Sequence, residues 1–320
     1  MQRDRTASAL SDPIGIKPNL VSVVIPSYKQ AHFLSEAIES VLRQTYPAVE
    51  IIVVDDGSPD ETAEVASRYE HIRCIRQENQ GIARARNIGY RASRGAYVIF
   101  LDADDRLTPT AVETHLRCFA DRPDAGFVVG DIDHIAADGS YLGSPRWPLL
   151  EANYYEELLR VNHVANTIAV MFRRAAFEAT GAFKSYFIPA EDYELLLSAA
   201  RLCPSAHHQD VVALYRRHHS SQSRRGVIML RATRRVMKSV RSSVTSNRRL
   251  AAAHREGEIY WREHFGITTL KEIASHLRRR SLPQAALATG ALLWFVRGRL
   301  VLLPWKRRRR LLALLQRRWK

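Results

Sequence analysis

Val21-Ser22-Val23-Val24-Ile25 and Glu50-Ile51-Ile52-Val53-Val54 are short runs, largely β-branched, that stop at turn-forming residues. That is the pattern of strands buried on both faces of a parallel sheet. Between them, residues 31–43 place Phe33, Leu34, Ala37, Ile38, Val41 and Leu42 on one helical face, and the Tyr46-Pro47 step ends the helix. The unit is β-α-β. Outward from it the alternation continues with a helix over 60–69, a short strand over 72–75, a helix over 83–92 and a strand over 96–101. Such alternation predicts an α/β fold with a Rossmann-like, mostly parallel, right-handedly connected sheet flanked by helices. Past Pro109 a helix leads to the strand Gly126-Phe127-Val128-Val129, and residues 138–148, rich in Gly, Ser, Pro and Tyr, read as a loop. From residue 224 onward strand patterns stop, and helical patterns with recurring Arg take over.

The chain has 320 residues, 46% of them hydrophobic, enough for one large α/β core and a smaller appendage. Its net charge of +15 is unevenly placed: residues 216–320 hold 27 Lys and Arg against 4 Asp and Glu, whereas the rest of the chain is net −8. The basicity therefore belongs to the tail rather than to the sheet. Three widely spaced cysteines, Cys74, Cys118 and Cys203, contain no CxxC pair and indicate neither a disulfide framework nor a zinc site. Residues 1–20 mix Arg, Asp, Ser and Pro without an apolar core and read as a flexible segment, not a signal peptide or anchor, so a cytoplasmic site of action is expected.

In open parallel sheets ligands bind beyond the carboxyl ends of the strands. Three such ends carry Pro26-Ser27-Tyr28, Asp55-Asp56-Gly57-Ser58 and Asp102-Ala103-Asp104-Asp105. Asp, Gly, Ser and Pro are also ordinary loop formers; three clusters in register favour a site. In extended backbone the alternate residues Asp102 and Asp104 point to one side, where two carboxylates can share a divalent cation, Mn2+ or Mg2+. A nucleotide diphosphate would complete the shell of that ion.

The segments VSVVIPSYKQ (21–30), EIIVVDDGSPDET (50–62), ENQGIARARNIGYRASRGAYVIFLDADD (78–105) and AEDYELLLSAA (190–200) resemble, in order and spacing, the motifs of the family 2 glycosyltransferases with the GT-A fold. The resemblance runs from about residue 21 to about residue 223 and implies three parts: the flexible 1–20, a GT-A domain over 21–223, and a basic helical C-terminal region over 224–320. It implies that Pro26 and Tyr28 line the nucleobase pocket, that Asp56 hydrogen-bonds the base while Asp55 braces the loop, and that Gly81 and Ala85-Arg86-Asn87 shape the donor pocket, with Arg86 near the diphosphate. Asp102 is then expected near ribose and metal, and Asp104 on the metal. Asp192, the second residue of Glu191-Asp192, corresponds to the base of inverting members, though acidic residues also suit a helix N-terminus. Tyr215-Arg216-Arg217-His218 resembles a segment that closes over the diphosphate, making Arg216 and His218 donor-site candidates, or else it is a basic loop that opens the tail. One departure is Lys29, where the family often has Asn. The implied activity is inverting transfer of a sugar from a nucleotide-diphosphate donor, a UDP-sugar foremost, to a hydroxyl of a glycan, polysaccharide or glycolipid precursor, with the 138–148 loop near the acceptor.

The apolar run over 285–296, broken by Arg297 and Arg299, is shorter than the roughly 20 residues a membrane span requires. Beside Lys306-Arg307-Arg308-Arg309-Arg310 it suits a helix lying on an anionic membrane surface, peripheral at the inner face of the cell membrane, which fits a lipid-linked acceptor. A helix packed on the catalytic domain with a solvated basic end accounts for it equally well. Two other functions compete. A sugar nucleotidyltransferase calls for a Gly-rich basic loop after the first strand, where this chain has Pro26-Ser27-Tyr28-Lys29. A nucleic-acid- or membrane-binding protein with an inactive sugar-nucleotide module would use the tail alone; the intact carboxylates argue against it, and nucleic acid is not the expected partner.

Overall fold

The computed structural model describes residues 15–145, 154–162, 164, 166–218 and 225–296. Expectations for residues 1–14, for the end of the 138–148 loop, for the 223/224 boundary and for the tail beyond 296 lie outside the described residues. Residues 17–20, expected within the flexible segment 1–20, are instead strand, tied to the sheet where the Lys17 N–H donates to the Arg94 carbonyl at 2.9 Å. The chain forms two compact units, one of Met1–Leu158 with Asn162–His218, the other of Leu159–Val161 with His219–Lys320.

The first unit is built on a mixed nine-stranded sheet. Strands β1 (Lys17–Ser27), β2 (Val49–Asp55), β3 (Arg73–Arg76) and β4 (Gly95–Phe100) lie side by side in the order β3-β2-β1-β4, all parallel. The helices between them are α1 (Ala31–Leu42), α2 (Thr62–Ser67) and α3 (Ile82–Ala92). Alternation along β2 assigns the layers: Ile51 and Val53 join the core beneath Leu34, Ala37, Ile38 and Val41 of α1, while Ile52 and Val54 cluster with Ala85 of α3 on the opposite face. Each fully buried Val or Ile contributes about 1.5–3 kcal/mol, so this strand needs no polar face. At Gly89 a Cβ would stand 2.3 Å from Val24 Cγ1, so only glycine lets α3 lie this close to β1.

Beyond β4 the sheet changes character. The short strand β5 (Arg106–Leu107) leads to α4 (Ala111–Asp121), β6 (Phe127–Ala136), β7 (Tyr141–Gly143), α5 (Tyr154–Arg160), β8 (Val170–Arg173), α6 (Arg174–Ala179), α7 (Glu191–Leu202) and β9 (Ser205–Arg217). β8 inserts between β4 and β6, antiparallel to both, and β9 runs parallel to β6 and antiparallel to β5. The 138–148 segment is thus not wholly loop, since β7 turns back onto β6.

The second unit is helical: α8 (Gly226–Val244), α9 (Arg248–Arg278) and α10 (Leu282–Val296). Asn247 starts α9 by accepting from the N–H groups of Arg249 and Leu250. Val236 and Met237 of α8 and Trp261 and Phe265 of α9 are buried, and α10 leaves Leu282, Leu287 and Leu293 exposed. No helix among the described residues is long and apolar enough to cross a membrane.

Candidate active site

The carboxyl ends of β2, β1 and β4 are adjacent, because Ser27 pairs with Asp55 and the Leu101 N–H donates to the Val24 carbonyl at 3.0 Å. Pro26 is buried in β1, and Tyr28, just past its end, is 42% exposed. Lys29 has φ of 58°, in the left-handed region where Asn is enriched and Lys is uncommon. Its N–H donates to Ser58 Oγ at 3.1 Å, and its ammonium stands 5.2 Å from the Tyr28 ring centre.

Asp55 is fully buried and braces its own loop by accepting from the Ser58 N–H at 2.8 Å. Asp56 also has structural partners: it accepts from Gln77 Nε2 at 2.6 Å, the Gln80 N–H at 2.8 Å and the Gly81 N–H at 2.9 Å. The carboxylate expected at the nucleobase therefore shapes the 77–81 loop, and Gly81, at φ 87°, turns that loop into α3.

Asp102, Asp104 and Asp105 form the acidic turn after β4. One oxygen from each lies within 4.8 Å of the others. Asp105 is buried, its Oδ1 accepts from the Arg216 N–H at 2.7 Å, and its Oδ2 has no hydrogen-bond partner. Desolvation, reinforced by Asp104 and Asp102, holds the Asp105 carboxyl well above the usual carboxylate range, and desolvation with Asp102 raises Asp104. Convergent hard oxygens, an orphaned buried oxygen and mutual repulsion fit a divalent cation, whose charge would relieve all three. Asp104 Oδ2 also lies 2.7 Å from His218 Nε2.

Arg216, expected at the donor, lies beneath this turn with 1% exposure. Its Nε donates to the Asp104 carbonyl at 2.7 Å, one terminal nitrogen to the Ala137 carbonyl at 2.8 Å and the other to Glu36 Oε2 at 2.7 Å, while the guanidinium stacks 4.4 Å from the Phe33 ring centre. Its place at the end of β9 makes it a clamp on the turn.

Arg86, on α3, is buried between two acidic elements. One terminal nitrogen donates to Glu191 Oε1 at 2.9 Å, the other to Asp102 Oδ1 at 2.6 Å. Burial alone would lower its pKa, but Asp102 and Glu191 outweigh that and raise it. Asp192 follows Glu191 in the first turn of α7 and is half-buried. Desolvation, then the charge of Glu191, pushes its carboxyl up to about 7 against the opposing pull of Arg86. Asp102, Asp104, His218, Arg86 and Asp192 thus gather around one charge cluster, whereas Tyr28 and Asp56 belong to the neighbouring strand ends. Two residues that sequence reading passes over complete it: Asn166, whose Nδ2 donates to Asp102 Oδ2 at 3.1 Å, and Glu36. Neither lies in a recognisable motif; only the fold brings them in.

Comparison with known proteins bears on the family and the fold. Residues 22–181 match the profile described as glycosyl transferase family 2. The chain is 43% identical over 109 residues to the uncharacterized glycosyltransferase EpsJ of Bacillus subtilis, covering 30% of this chain and 32% of that protein. It is 30% identical over 193 residues to chondroitin synthase of Escherichia coli, covering 59% of this chain and 27% of the relative. The matches thus span about a third of those curated relatives' length or less. In fold, S. aureus TarS in complex with UDP-GlcNAc superposes with TM-score 0.62 at 16% identity, over 87% of this chain and 81% of the other. The mannosyltransferase PcManGT of Pyrobaculum calidifontis, in complex with GDP-Man and Mn2+, gives TM-score 0.56 at 21% identity, over 85% of this chain and 79% of the other. With half of its length matched by the profile and the GT-A sheet in place, the chain belongs to glycosyl transferase family 2.

Proposed function

We propose that this protein is an inverting glycosyltransferase that moves a sugar from a nucleotide-diphosphate donor to an acceptor hydroxyl. The observation that carries the reading is the convergence of the Asp102, Asp104 and Asp105 carboxylates, tied through Arg86 to Glu191 and so to Asp192 at the start of α7. Desolvation, which pushes the Asp192 carboxyl up to about 7, suits it to general-base work near neutral pH. Ionised Asp192 takes the acceptor O–H proton as that oxygen bonds to the anomeric carbon; the bond from that carbon to the phosphate oxygen breaks, its electron pair leaving with the diphosphate. Attack opposite the leaving group inverts the centre. Asp102 and Asp104, with Asp105 behind them, are the residues that would hold Mn2+ or Mg2+. Bound there, the cation supplies charge stabilisation to the departing diphosphate. His218 orients Asp104, Arg216 supports the turn from below, and Pro26, Tyr28 and the loop held by Asp56 form the base pocket. TarS and PcManGT are described with UDP-GlcNAc and with GDP-Man and Mn2+, which supports a sugar nucleotide, UDP-linked foremost, as donor.

The acceptor in this reading is a glycan, polysaccharide or glycolipid precursor. Residues 21–223 form the catalytic domain, and the basic region 224–320 rests on the anionic inner face of the cell membrane. Donor binding and hydrolysis across a panel of nucleotide sugars, with and without Mn2+, test the proposal. One donor should bind only with metal, Asp104→Ala should abolish that binding, and Asp192→Asn should keep binding and lose turnover. Absence of binding by every donor with any metal would sink it.

A further inference from the structure

Arg86 joins three segments distant in sequence: it stands on α3 and reaches Asp102 after β4 and Glu191 at the start of α7. Side-chain exposure is 3% for Arg86, 18% for Asp102 and 6% for Glu191, so the triad is taken almost wholly out of water. Such burial costs several kcal/mol per ion, and well-packed apolar side chains commonly do as well or better for stability alone. What an apolar triad cannot supply is direction. A planar guanidinium gives two parallel-plane donors at fixed separation and so sets the orientation of both carboxylates, which a lysine ammonium cannot do.

The surroundings reinforce that frame. The Phe183 ring centre lies 5.0 Å from the Arg86 guanidinium. Its neighbour Asn87 donates to the Phe183 carbonyl at 2.8 Å and accepts from the Phe183 N–H at 3.0 Å, tying the segment that leads to α7 onto α3. Asp102 is held at both oxygens, by Arg86 on Oδ1 and by Asn166 on Oδ2. Glu191 spends Oε1 on Arg86.

We propose that Arg86 is a positioning residue that sets the acidic turn and the α7 N-terminus, and with it Asp192, in one rigid frame, with Asn166 as the second clamp on Asp102. Glu191 then acts through Arg86 and not on a substrate. The inference deepens the transferase reading and rests on it only for the turnover part of its test; the frame itself is a statement about cation binding as well.

The experiment uses the full chain and two readouts. Mn2+ affinity is measured by calorimetry for the wild type, Arg86→Lys and Asn166→Ala, with circular dichroism confirming that each variant is folded. Loss of a residue that orients a metal-binding carboxylate should weaken Mn2+ binding about 10- to 100-fold in both variants. Turnover of the donor found in the panel is measured for Arg86→Lys, Asp192→Asn and the double variant. Misplacing the base by an ångström should lower kcat about 100-fold in Arg86→Lys, and the double variant should be no slower than Asp192→Asn, because both changes disable one unit. Glu191→Ala, which strips Arg86 of its second acceptor, should lower kcat as Arg86→Lys does, and Glu191→Gln, whose amide oxygen still accepts from Arg86, should recover part of that loss. Unchanged Mn2+ affinity in both clamp variants, or multiplied losses in the double variant, would overturn the inference. Should Arg86→Lys fail to fold, Asn166→Ala decides the metal part and Glu191→Gln the turnover part: a collapse of kcat in Glu191→Gln places that charge on the substrate instead. A wild type that turns over no donor defeats the transferase reading, while the Mn2+ comparison still decides the frame.

Discussion

The Arg216 N–H donates to Asp105 Oδ1 at 2.7 Å across 111 residues of sequence, so the end of β9, the longest strand among the described residues, holds the acidic turn from beneath. Replacing Arg216 by Met would keep that backbone bond but strip the Asp104 and Ala137 carbonyls of the guanidinium donor, leaving Glu36 with Arg106 at 3.3 Å. Glu36 is 43% exposed, so the change leaves no buried charge unpaired, and the lost hydrogen bonds cost about 1–3 kcal/mol. Urea unfolding of Arg216→Met should show a loss of that size, with Arg216→Lys recovering part of it.

Asp192 sets the pH dependence. Its carboxyl is raised to about 7 by burial and by Glu191, so the protonated form is favoured below that value and the base is disabled there. At saturating metal, kcat/KM should climb about tenfold per pH unit up to that point and level off above it. A profile flat from pH 5 to 8, while Asp192→Asn remains inactive, would remove Asp192 from the base role.

Cation binding should release protons. Burial and neighbouring carboxylates raise Asp104 from its ordinary value and Asp105 well above it, so protons compete with the metal for these oxygens. Mn2+ affinity should increase with pH, and the calorimetric heat should change with the ionisation enthalpy of the buffer. Asp105→Asn should weaken binding and reduce the proton release together.

Gly57 has φ of 71°, and a Cβ there would stand 2.8 Å from the Asn79 nitrogen and 3.1 Å from the Gln77 carbonyl oxygen. Gly57→Ala therefore strains the backbone and presses on the loop that Asp56 holds. A stability loss of about 1–3 kcal/mol is expected, together with a raised donor KM. Thermal denaturation and donor titration check the two effects separately.

The parallel half of the sheet was legible because its strands are uniform apolar runs and each motif sits directly after one. Helix and strand bounds there came within a few residues. The largest slip is at β1, which begins at Lys17 and not at Val21, because Lys17 pairs with Gly95 and its N–H donates to the Arg94 carbonyl at 2.9 Å. Similarly, α2 begins at Thr62 and not at residue 60, because Asp60 stays outside the helix and accepts from the Thr62 hydroxyl at 2.6 Å and the Ala31 N–H at 3.1 Å.

Beyond β4 the sequence says less. β8 is four residues long and β9 contains His207, His208, Gln209 and Asp210, so neither presents a clean apolar period. The role of Arg216 was hidden because two of its guanidinium acceptors are main-chain oxygens, which carry no residue signature, and the third, Glu36, lies 180 residues away. Asn166 was likewise invisible until β8 brought its neighbourhood beside β4.

The clamp at the end of β9 also bears on how the protein is made. Asp104 and Asp105 leave the ribosome long before Arg216, and Glu36 earlier still, 180 residues ahead of its partner. Loop closures that long are slow to find, and of the donors that support the acidic turn Arg216 emerges after Arg86 and Asn166. The Rossmann-like half can therefore collapse first during synthesis, while a competent cation site must await the emergence of residue 216. A nascent chain stopped short of that point should be compact and yet blind to Mn2+.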